Sequence, residues 1–146
     1  MSHLTHIAAP DGVAPGNGYS HVVLGEGRFV AISGQIALDA DGEVVGPGDA
    51  AAQARQVFAN LGRCLAAAGA GWGDVAKLTF FVTDIAVLPA VREARDAHID
   101  TARPPASTAV QVAALFRPEL LLEVEAPAIV RGARDADETD EAAGRP

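Results

Sequence analysis

Two short segments near the C-terminal end alternate polar and apolar residues, and this alternation constrains the fold more than any other feature of the chain. Successive side chains of a strand point to opposite faces, so residues two apart share a face. The first segment places Ser107, Ala109 and Gln111 on one face and Thr108, Val110 and Val112 on the other. The second places Glu123 and Glu125 on one face and Leu122, Val124 and Ala126 on the other. An antiparallel pairing of these strands predicts an apolar face for the core and a second face bearing carboxylates, an amide and a hydroxyl.

Composition limits the kind of protein that this chain can be. Its 146 residues, 49% of them hydrophobic, suffice for one domain with its own core. Charges or glycines break every apolar run before the roughly 20 residues of a membrane span, and residues 1–15 lack the basic-then-apolar layout of a signal peptide. The single cysteine, Cys64, excludes an internal disulfide framework and suits a reducing compartment. We therefore expect a cytoplasmic protein with no membrane partner.

The charge of the chain argues against a nucleic-acid partner. The net charge is -8, and the segment 131–146 contributes only three arginines against five acidic residues, so the rest of the chain is acidic as well. Surfaces that bind phosphate backbones depend on clustered Lys and Arg. We expect a small molecule rather than DNA or RNA as the binding partner.

The order of predicted elements is typical of an α+β domain with a mixed sheet. Strands are predicted at residues 22–24, 28–33, 43–45, 75–83, 107–112 and 121–126. One helix is predicted from an N-cap at Asp49 to Gly69, and a second from near Pro89 to Arg103. Gln53 and Gln56 are expected on the solvated or interface side of the first helix. The predicted organisation is an irregular lead-in at 1–18, one domain at 19–130 and an acidic, disordered tail at 131–146.

Topology then predicts which face of the sheet is left bare. Two right-handed crossovers lay both helices on one face. The side chains expected on the other face are Thr79, Phe81, Ala109, Gln111, Glu123, Glu125 and Ile129. Such a face is too apolar for water and too polar for a core, which is typical of a subunit interface. We expect a homo-oligomer that buries this face, with binding sites where the copies meet.

Seven segments resemble, in order and spacing, the RidA family (also YjgF, or L-PSP endoribonuclease family) of reactive-intermediate deaminases. They are Tyr19-Ser20-His21-Val22, Ile32-Ser33-Gly34-Gln35-Ile36, Gln53 to Leu61, Gly69 to Val75, Phe81-Val82-Thr83-Asp84, Arg103-Pro104-Pro105-Ala106-Ser107 and Glu123-Val124-Glu125-Ala126. The resemblance implies a chorismate-mutase-like α+β fold, assembled as a homotrimer with three clefts between subunits. It also implies cofactor-free hydrolysis of imines and enamines, the products of pyridoxal-phosphate enzymes, to ketones and ammonia.

The resemblance also implies roles for individual residues. Glu123 corresponds to the family's glutamate that positions or activates water, Tyr19 to its cleft tyrosine and Ser33 to the serine of its Ser-Gly-Gln motif. Three positions depart from the family pattern. Ser107 stands where the family has an arginine that binds the substrate carboxylate, Ala109 where it has a cysteine, and Arg92 where typical deaminases have an asparagine.

The missing arginine changes what the site can bind. A hydrogen bond to a charged group contributes roughly 1.5–3 kcal/mol, which corresponds to about 10- to 200-fold in affinity, whereas Ser107 offers one neutral hydrogen bond. Three alternatives follow: Arg92 or Arg103 supplies the charge, the ligand lacks a carboxylate, or the site is silent. The second is favoured at this point because a small hydroxyl suits a neutral or larger ligand.

Each candidate residue also has a structural interpretation. Glu123 could be a structural hydrogen-bond acceptor or half of an intersubunit ion pair, Tyr19 a loop anchor and Ser33 a turn cap. The four histidines have no cysteine or carboxylate at ligand spacing, so no metal site is expected. The function predicted first is therefore an imine deaminase. A non-catalytic small-molecule-binding protein is the alternative, and an endoribonuclease ranks third.

Overall fold

A computed structural model describes residues 3–132, and within that range two helices pack against short strands. The strands are β1 (Thr5–Ile7), β2 (Val22–Leu24), β3 (Arg28–Val30), β4 (Lys77–Val82), β5 (Ala106–Gln111), β6 (Leu122–Glu125) and β7 (Ala128–Val130). The helices are α1 (Ala50–Ala67) and α2 (Leu88–Asp96), with single 3₁₀ turns at Trp72–Asp74 and Ile85–Val87. The predicted α+β class is confirmed. All but two residues of the predicted acidic tail lie outside the described residues.

The sheet is mixed, and β4 is its central strand. β5 runs parallel to β4 on one side and β6 antiparallel to β4 on the other. The prediction that β5 and β6 pair with each other is therefore wrong. Consecutive strands are neighbours in most sheets, but here the connection from β5 crosses the end of β4 and returns on its far side. Two further antiparallel pairs, β3 with β7 and β1 with β2, complete the sheet structure of the described residues.

Helix α1 forms where the sequence predicts it, and for the expected reasons. The Asp49 carboxylate accepts a hydrogen bond from the backbone N–H of Ala52 at 3.0 Å, which satisfies one of the free donors at the helix start. The apolar stripe is fully buried and consists of Ala54, Val57, Phe58, Leu61 and Leu65. Gly69 adopts a positive φ of 70° and lets the chain turn back, so that Ala70 N–H reaches the Leu65 carbonyl at 2.8 Å.

Both helices cover the same face of the sheet, as predicted. Leu78, Phe80 and Val82 of β4 point to that face and pack in one core with buried residues of α1, with Val91 of α2 and with Leu122 and Val124 of β6. Paired residues of neighbouring strands share a face. Since β5 pairs Ser107, Ala109 and Gln111 with Leu78, Phe80 and Val82 of β4, all six side chains point toward the helices. The assignment of Ala109 and Gln111 to the bare face is wrong for this reason.

The helix-free face carries Thr79, Phe81, Glu123, Glu125 and Ile129, as predicted, together with Thr108 and Val110, which were expected in the core. Val110 is 38% exposed and Phe29, which pairs with Ile129, is 71% exposed. The register reverses the two faces of β5 relative to the prediction because β5 pairs with β4 and not with β6.

Three other regions differ from the predictions. The segment expected to be an irregular lead-in contains β1, whose flanking Leu4 is fully buried. The strand expected at 43–45 is reduced to one bridge between Leu38 and Val44. Gln53, expected at a solvated or interface position, is completely buried. No helix within the described range has the length and apolar character needed to cross a membrane.

Candidate functional site

Glu123 lies on the helix-free face, in the middle of β6. It pairs with Phe81 of β4 and is half-buried. Its side chain lies directly over the backbone of Gly34: a Cβ placed on Gly34 would come within 2.8 Å of the Glu123 carboxyl carbon and closer still to Oε1. The carboxylate is therefore held against a neighbouring segment and does not extend freely into solvent.

The Ser33-Gly34-Gln35 segment is fixed to the strand that carries Glu123. Gln35 N–H donates to the Val124 carbonyl at 2.8 Å, and Val124 N–H donates back to the Gln35 carbonyl at 3.1 Å. The Gln35 side-chain amide donates to the Ser33 carbonyl at 3.0 Å, which closes a local turn. The segment that contains Ser33 thus runs beside β6, and its Gly34 lies against the Glu123 side chain.

We expect Gly34→Ala to disturb Glu123 without unfolding the protein. The three atoms nearest to the new methyl group all belong to the Glu123 side chain, and Gly34 does not have a positive φ, so the carboxylate must move while the backbone can stay. Misplacing a reacting group by about 1 Å can reduce turnover by up to about 100-fold.

The measurement is kcat for the imine hydrolysis that the family resemblance implies, together with the melting temperature. Gly71→Ala is the matched control, because a Cβ at Gly71 meets no atom within 4 Å. A Gly34→Ala variant with wild-type kcat would contradict the importance of this packing.

Ser107 and Ala109 lie on the other side of the sheet, beside α2. With Phe80, Leu88, Val91, Arg92 and Arg95 they line a cavity of about 50 Å³. That volume holds little more than a water molecule or two, which is too small for a substrate. Within one chain this cavity is therefore at most one wall of a site.

Two arginines of α2 line this cavity and differ in their contacts. Arg95 is 6% exposed, and its guanidinium donates to Asp96 Oδ1 at 2.8 and 2.9 Å and to the Gly18 carbonyl at 2.8 Å. Arg92 is exposed and makes no ion pair or side-chain hydrogen bond with another described residue. Arg92 therefore has a free positive charge beside Ser107, whereas Asp96 neutralises Arg95.

Arg103, the other arginine considered from the sequence, lies elsewhere. Its Nη2 donates to the Leu4 carbonyl at 2.8 Å, and it does not line the cavity beside Ser107. Arg95 is not among the site residues predicted from the sequence, although its spacing signals its position. Residues three apart share one face of a helix, so Arg92 and Arg95 face the same way.

Tyr19 lies in the loop next to this cavity. Its ring covers the backbone of Gly16, where a Cβ would come within 2.6 Å of Tyr19 Cζ, and it meets His21 edge-on at 5.2 Å between ring centroids. The loop is attached to the start of β5, because Ser20 N–H and Oγ donate to the Pro105 and Pro104 carbonyls at 3.1 and 2.6 Å. The loop of Tyr19 thus lies beside α2 and the start of β5, but the Tyr19 ring contacts Gly16 and His21 and does not line the cavity.

The predicted site residues form two groups on opposite sides of one sheet. Ser107, Ala109 and Arg92 line the cavity on the helix side, with Tyr19 in the adjoining loop, whereas Glu123 lies on the helix-free side next to the segment that contains Ser33. The register separates the side chains of Ser107 and Glu123, so one chain cannot place both against one small molecule. Among residues 3–132, no group of three His, Cys, Asp or Glu side chains could hold a metal ion.

Comparisons with known proteins agree with this fold. A sequence model of the family described as Endoribonuclease L-PSP matches residues 9–130. A RutC family protein of Synechocystis is 36% identical over 118 residues, which cover 80% of this chain and 89% of that protein. The human 2-iminobutanoate/2-iminopropanoate deaminase is 36% identical over 121 residues, which cover 83% and 84%. The crystal structure of a Rid family protein of unknown function from Yersinia pestis is 40% identical, with a TM-score of 0.77 and coverage of 85% and 97%.

Proposed function

This chain belongs to the Endoribonuclease L-PSP family, and from that membership we propose that it hydrolyses small imines to ketones and ammonia, in a cleft between copies of the chain. Relatives at 36–38% identity are named 2-iminobutanoate/2-iminopropanoate deaminases, which supports the reaction class. The observation that carries the proposal is the half-buried carboxylate of Glu123, held against Gly34 at the edge of a face with exposed apolar groups.

The proposed chemistry needs one group that can exchange protons. Glu123 accepts a proton from water as the water oxygen bonds to the imine carbon, and the C=N bond becomes a single bond. The proton then passes to the nitrogen, which gives a carbinolamine. Glu123 next carries the proton of the new hydroxyl group to the same nitrogen, so that the C–N bond breaks, ammonia leaves and the carbonyl forms. Such general acid–base catalysis contributes typically about 10²- to 10⁴-fold to a rate. The step requires no cofactor, since water is the only co-reactant.

Assembly of copies is part of the proposal. Ser107 and Glu123 lie on opposite faces of the sheet, and the cavity beside Ser107 holds only about 50 Å³. A homotrimer, as the family resemblance implies, would let the helix-free face of one copy, with Glu123 and Ser33, close the cleft lined by Ser107, Ala109, Arg92 and Tyr19 of the next. The exposure of Phe29 and Val110 on the helix-free face supports burial of that face against another copy.

The contacts of the three arginines favour one source for the missing charge. Arg103 is remote from Ser107 and Arg95 is paired with Asp96, which leaves Arg92 as the free guanidinium beside Ser107. We therefore propose that Arg92 binds the carboxylate of a 2-imino acid, in place of the family's arginine on β5. This choice reverses the preference for a neutral ligand that the sequence alone suggested.

We expect Arg92→Met to raise KM for 2-iminopropanoate by about 10- to 100-fold, because a charged hydrogen bond is lost, with a smaller change in kcat. The substrate is generated in place by an amino-acid oxidase, and carbonyl formation is followed. Arg103→Met is the control, since that side chain lies elsewhere. Equal KM values for Arg92→Met and the wild type would contradict this assignment.

The direct test of the function is the rate at which the purified protein accelerates decay of a panel of 2-imino acids. Acceleration supports deaminase activity. Stabilisation of the protein by keto acids in thermal-shift screening, without any acceleration, would instead identify a binding protein that kept the cleft but not the chemistry. Cleavage of RNA, the activity in the family's description, is disfavoured by the net charge of -8.

A further inference from the structure

A second, larger cavity lies beyond the C-terminal end of α2, beside the residues that follow this helix. Its volume is about 330 Å³, within the range of small-molecule pockets. It is enclosed by the 3₁₀ turn at Trp72–Asp74, the chain after α2, the segment before β5 and the N-terminal strand. The side chains that define its chemistry are Trp72, His98, Asp100, Arg103 and His6. None of the residues assigned to the imine site lines it.

One wall of this cavity is aromatic. The rings of Trp72 and His98 lie 5.0 Å apart, and Phe58 packs behind them with its centroid 5.7 Å from Trp72 and 5.9 Å from His98. Phe58 is fully buried, so it supports the other two rings from the core. A planar ligand could stack on such a surface.

A positive charge lies at the same cavity. Arg103 uses Nη2 to donate to the Leu4 carbonyl, which fixes its direction, and it forms no ion pair with any acidic residue in the described range. A guanidinium held in one place with free N–H groups is suited to a carboxylate.

An acidic side chain provides the acceptor at this cavity. Asp100 lines it, and its Oδ1 accepts from Ala102 N–H at 3.0 Å. A carboxylate has two oxygens and about four acceptor positions, so Asp100 can accept a further hydrogen bond from a ligand. His6 supports the wall beside it, since its Nδ1 lies 3.0 Å from the Pro104 carbonyl.

We propose that this cavity is a second binding site, for a small planar aromatic molecule that carries both a carboxylate and an amino group. The ring stacks on Trp72 and His98, the carboxylate pairs with Arg103, and the amino group donates to Asp100. This site is separate from the imine cleft, and its occupancy does not depend on whether the protein is a deaminase.

Trp72 is the only tryptophan of the chain, so its fluorescence reports on this cavity. The probe is 2-aminobenzoate, and the readout is the fluorescence lifetime of Trp72, which light absorption by the probe does not distort, with calorimetry as a second measurement. We expect a saturable change in lifetime for the wild type. We expect aniline, which lacks the carboxylate, to bind at least about tenfold more weakly. No saturable change, or equal binding of aniline, would overturn the proposal.

Variants separate this cavity from the imine cleft. Arg103→Met is expected to weaken binding of 2-aminobenzoate at least about tenfold. Arg103→Lys keeps the positive charge and should retain most of the affinity for 2-aminobenzoate. Arg92→Met is the matched control and should bind as the wild type does. Loss of binding in Arg92→Met but not in Arg103→Met would overturn the proposal, since the probe would then occupy the cleft beside Ser107. The aniline comparison needs no variant and holds even if Arg103→Met does not fold.

Discussion

Replacing Glu123 with glutamine is expected to lower kcat for imine hydrolysis by about 10²- to 10⁴-fold and to leave the melting temperature nearly unchanged. The amide has the size and shape of the carboxylate, so the packing over Gly34 is preserved. It cannot accept a proton from water, however. The variant therefore separates a role in catalysis from a role in packing, which would require only the shape of the side chain.

Glu125→Gln is the matched control for this prediction. Glu125 is two residues along the same strand and on the same face, but it is exposed and pairs with Thr79. Both variants change the net charge equally, so a loss of activity in Glu123→Gln alone cannot come from the overall field of the protein. Activity at the wild-type level in Glu123→Gln would remove the chemical basis of the proposed function.

Mixing experiments extend this test to the assembly. If the cleft takes Glu123 from one copy and Arg92 from another, co-refolded Glu123→Gln and Arg92→Met chains should form some clefts with both residues intact. At a substrate concentration well below the KM of Arg92→Met, the activity of the mixture would then exceed that of either variant alone. Activity no higher than the average of the two would place both residues in the same copy and contradict the proposed cleft.

Local patterns in the sequence predict the helices and strands well because the interactions that stabilise them are local. The period of the apolar residues and the cap at Asp49 fix α1, and the β-branched and aromatic run at 77–82 fixes β4. Gln53 shows the limit of this reasoning. A polar residue beside the apolar stripe is predicted to face solvent, whereas in the structure backbone groups outside the helix cover Gln53 and form hydrogen bonds with it.

Strand order could not be read from the same patterns, since alternation states which residues share a face and not which strand lies alongside. The alternation puts Ser107 and Glu123 on one face only if β5 and β6 are neighbours, whereas in the structure β4 lies between them and the register turns their side chains to opposite faces. The motifs group the Ser33-Gly34-Gln35 segment with Glu123, and Gly34 of that segment does lie against the Glu123 side chain. They did not predict that Arg95 is buried beside Ser107, because that position depends on how α2 packs on β5.

Gln53→Leu is expected to destabilise the protein by about 2–4 kcal/mol, because it leaves several partly buried backbone groups without partners. The completely buried Gln53 amide donates from Nε2 to the Gly46 and Glu119 carbonyls at 3.1 and 2.8 Å, and its Oε1 accepts from Leu121 N–H at 2.8 Å. One side chain thus joins α1 both to the turn just before it and to the connection that leads into β6, which is distant in sequence.

Leucine fills a similar volume but cannot form a hydrogen bond with the Gly46 carbonyl, the Glu119 carbonyl or the Leu121 N–H. The loss of stability in Gln53→Leu can therefore be assigned to hydrogen bonding and not to a cavity. The measurement is the midpoint of chemical denaturation followed by circular dichroism. Gln56→Leu is the control on the same helix. Gln56 is only half-buried, and its amide donates to Asn60 Oδ1 at 2.9 Å and to the Leu38 carbonyl at 3.3 Å, groups that water can reach. Its replacement is therefore expected to lower the free energy of unfolding by less than about 1.5 kcal/mol. A Gln53→Leu variant as stable as the wild type would mean that water replaces all three bonds, and that this amide does not hold the connection before Glu123 in place.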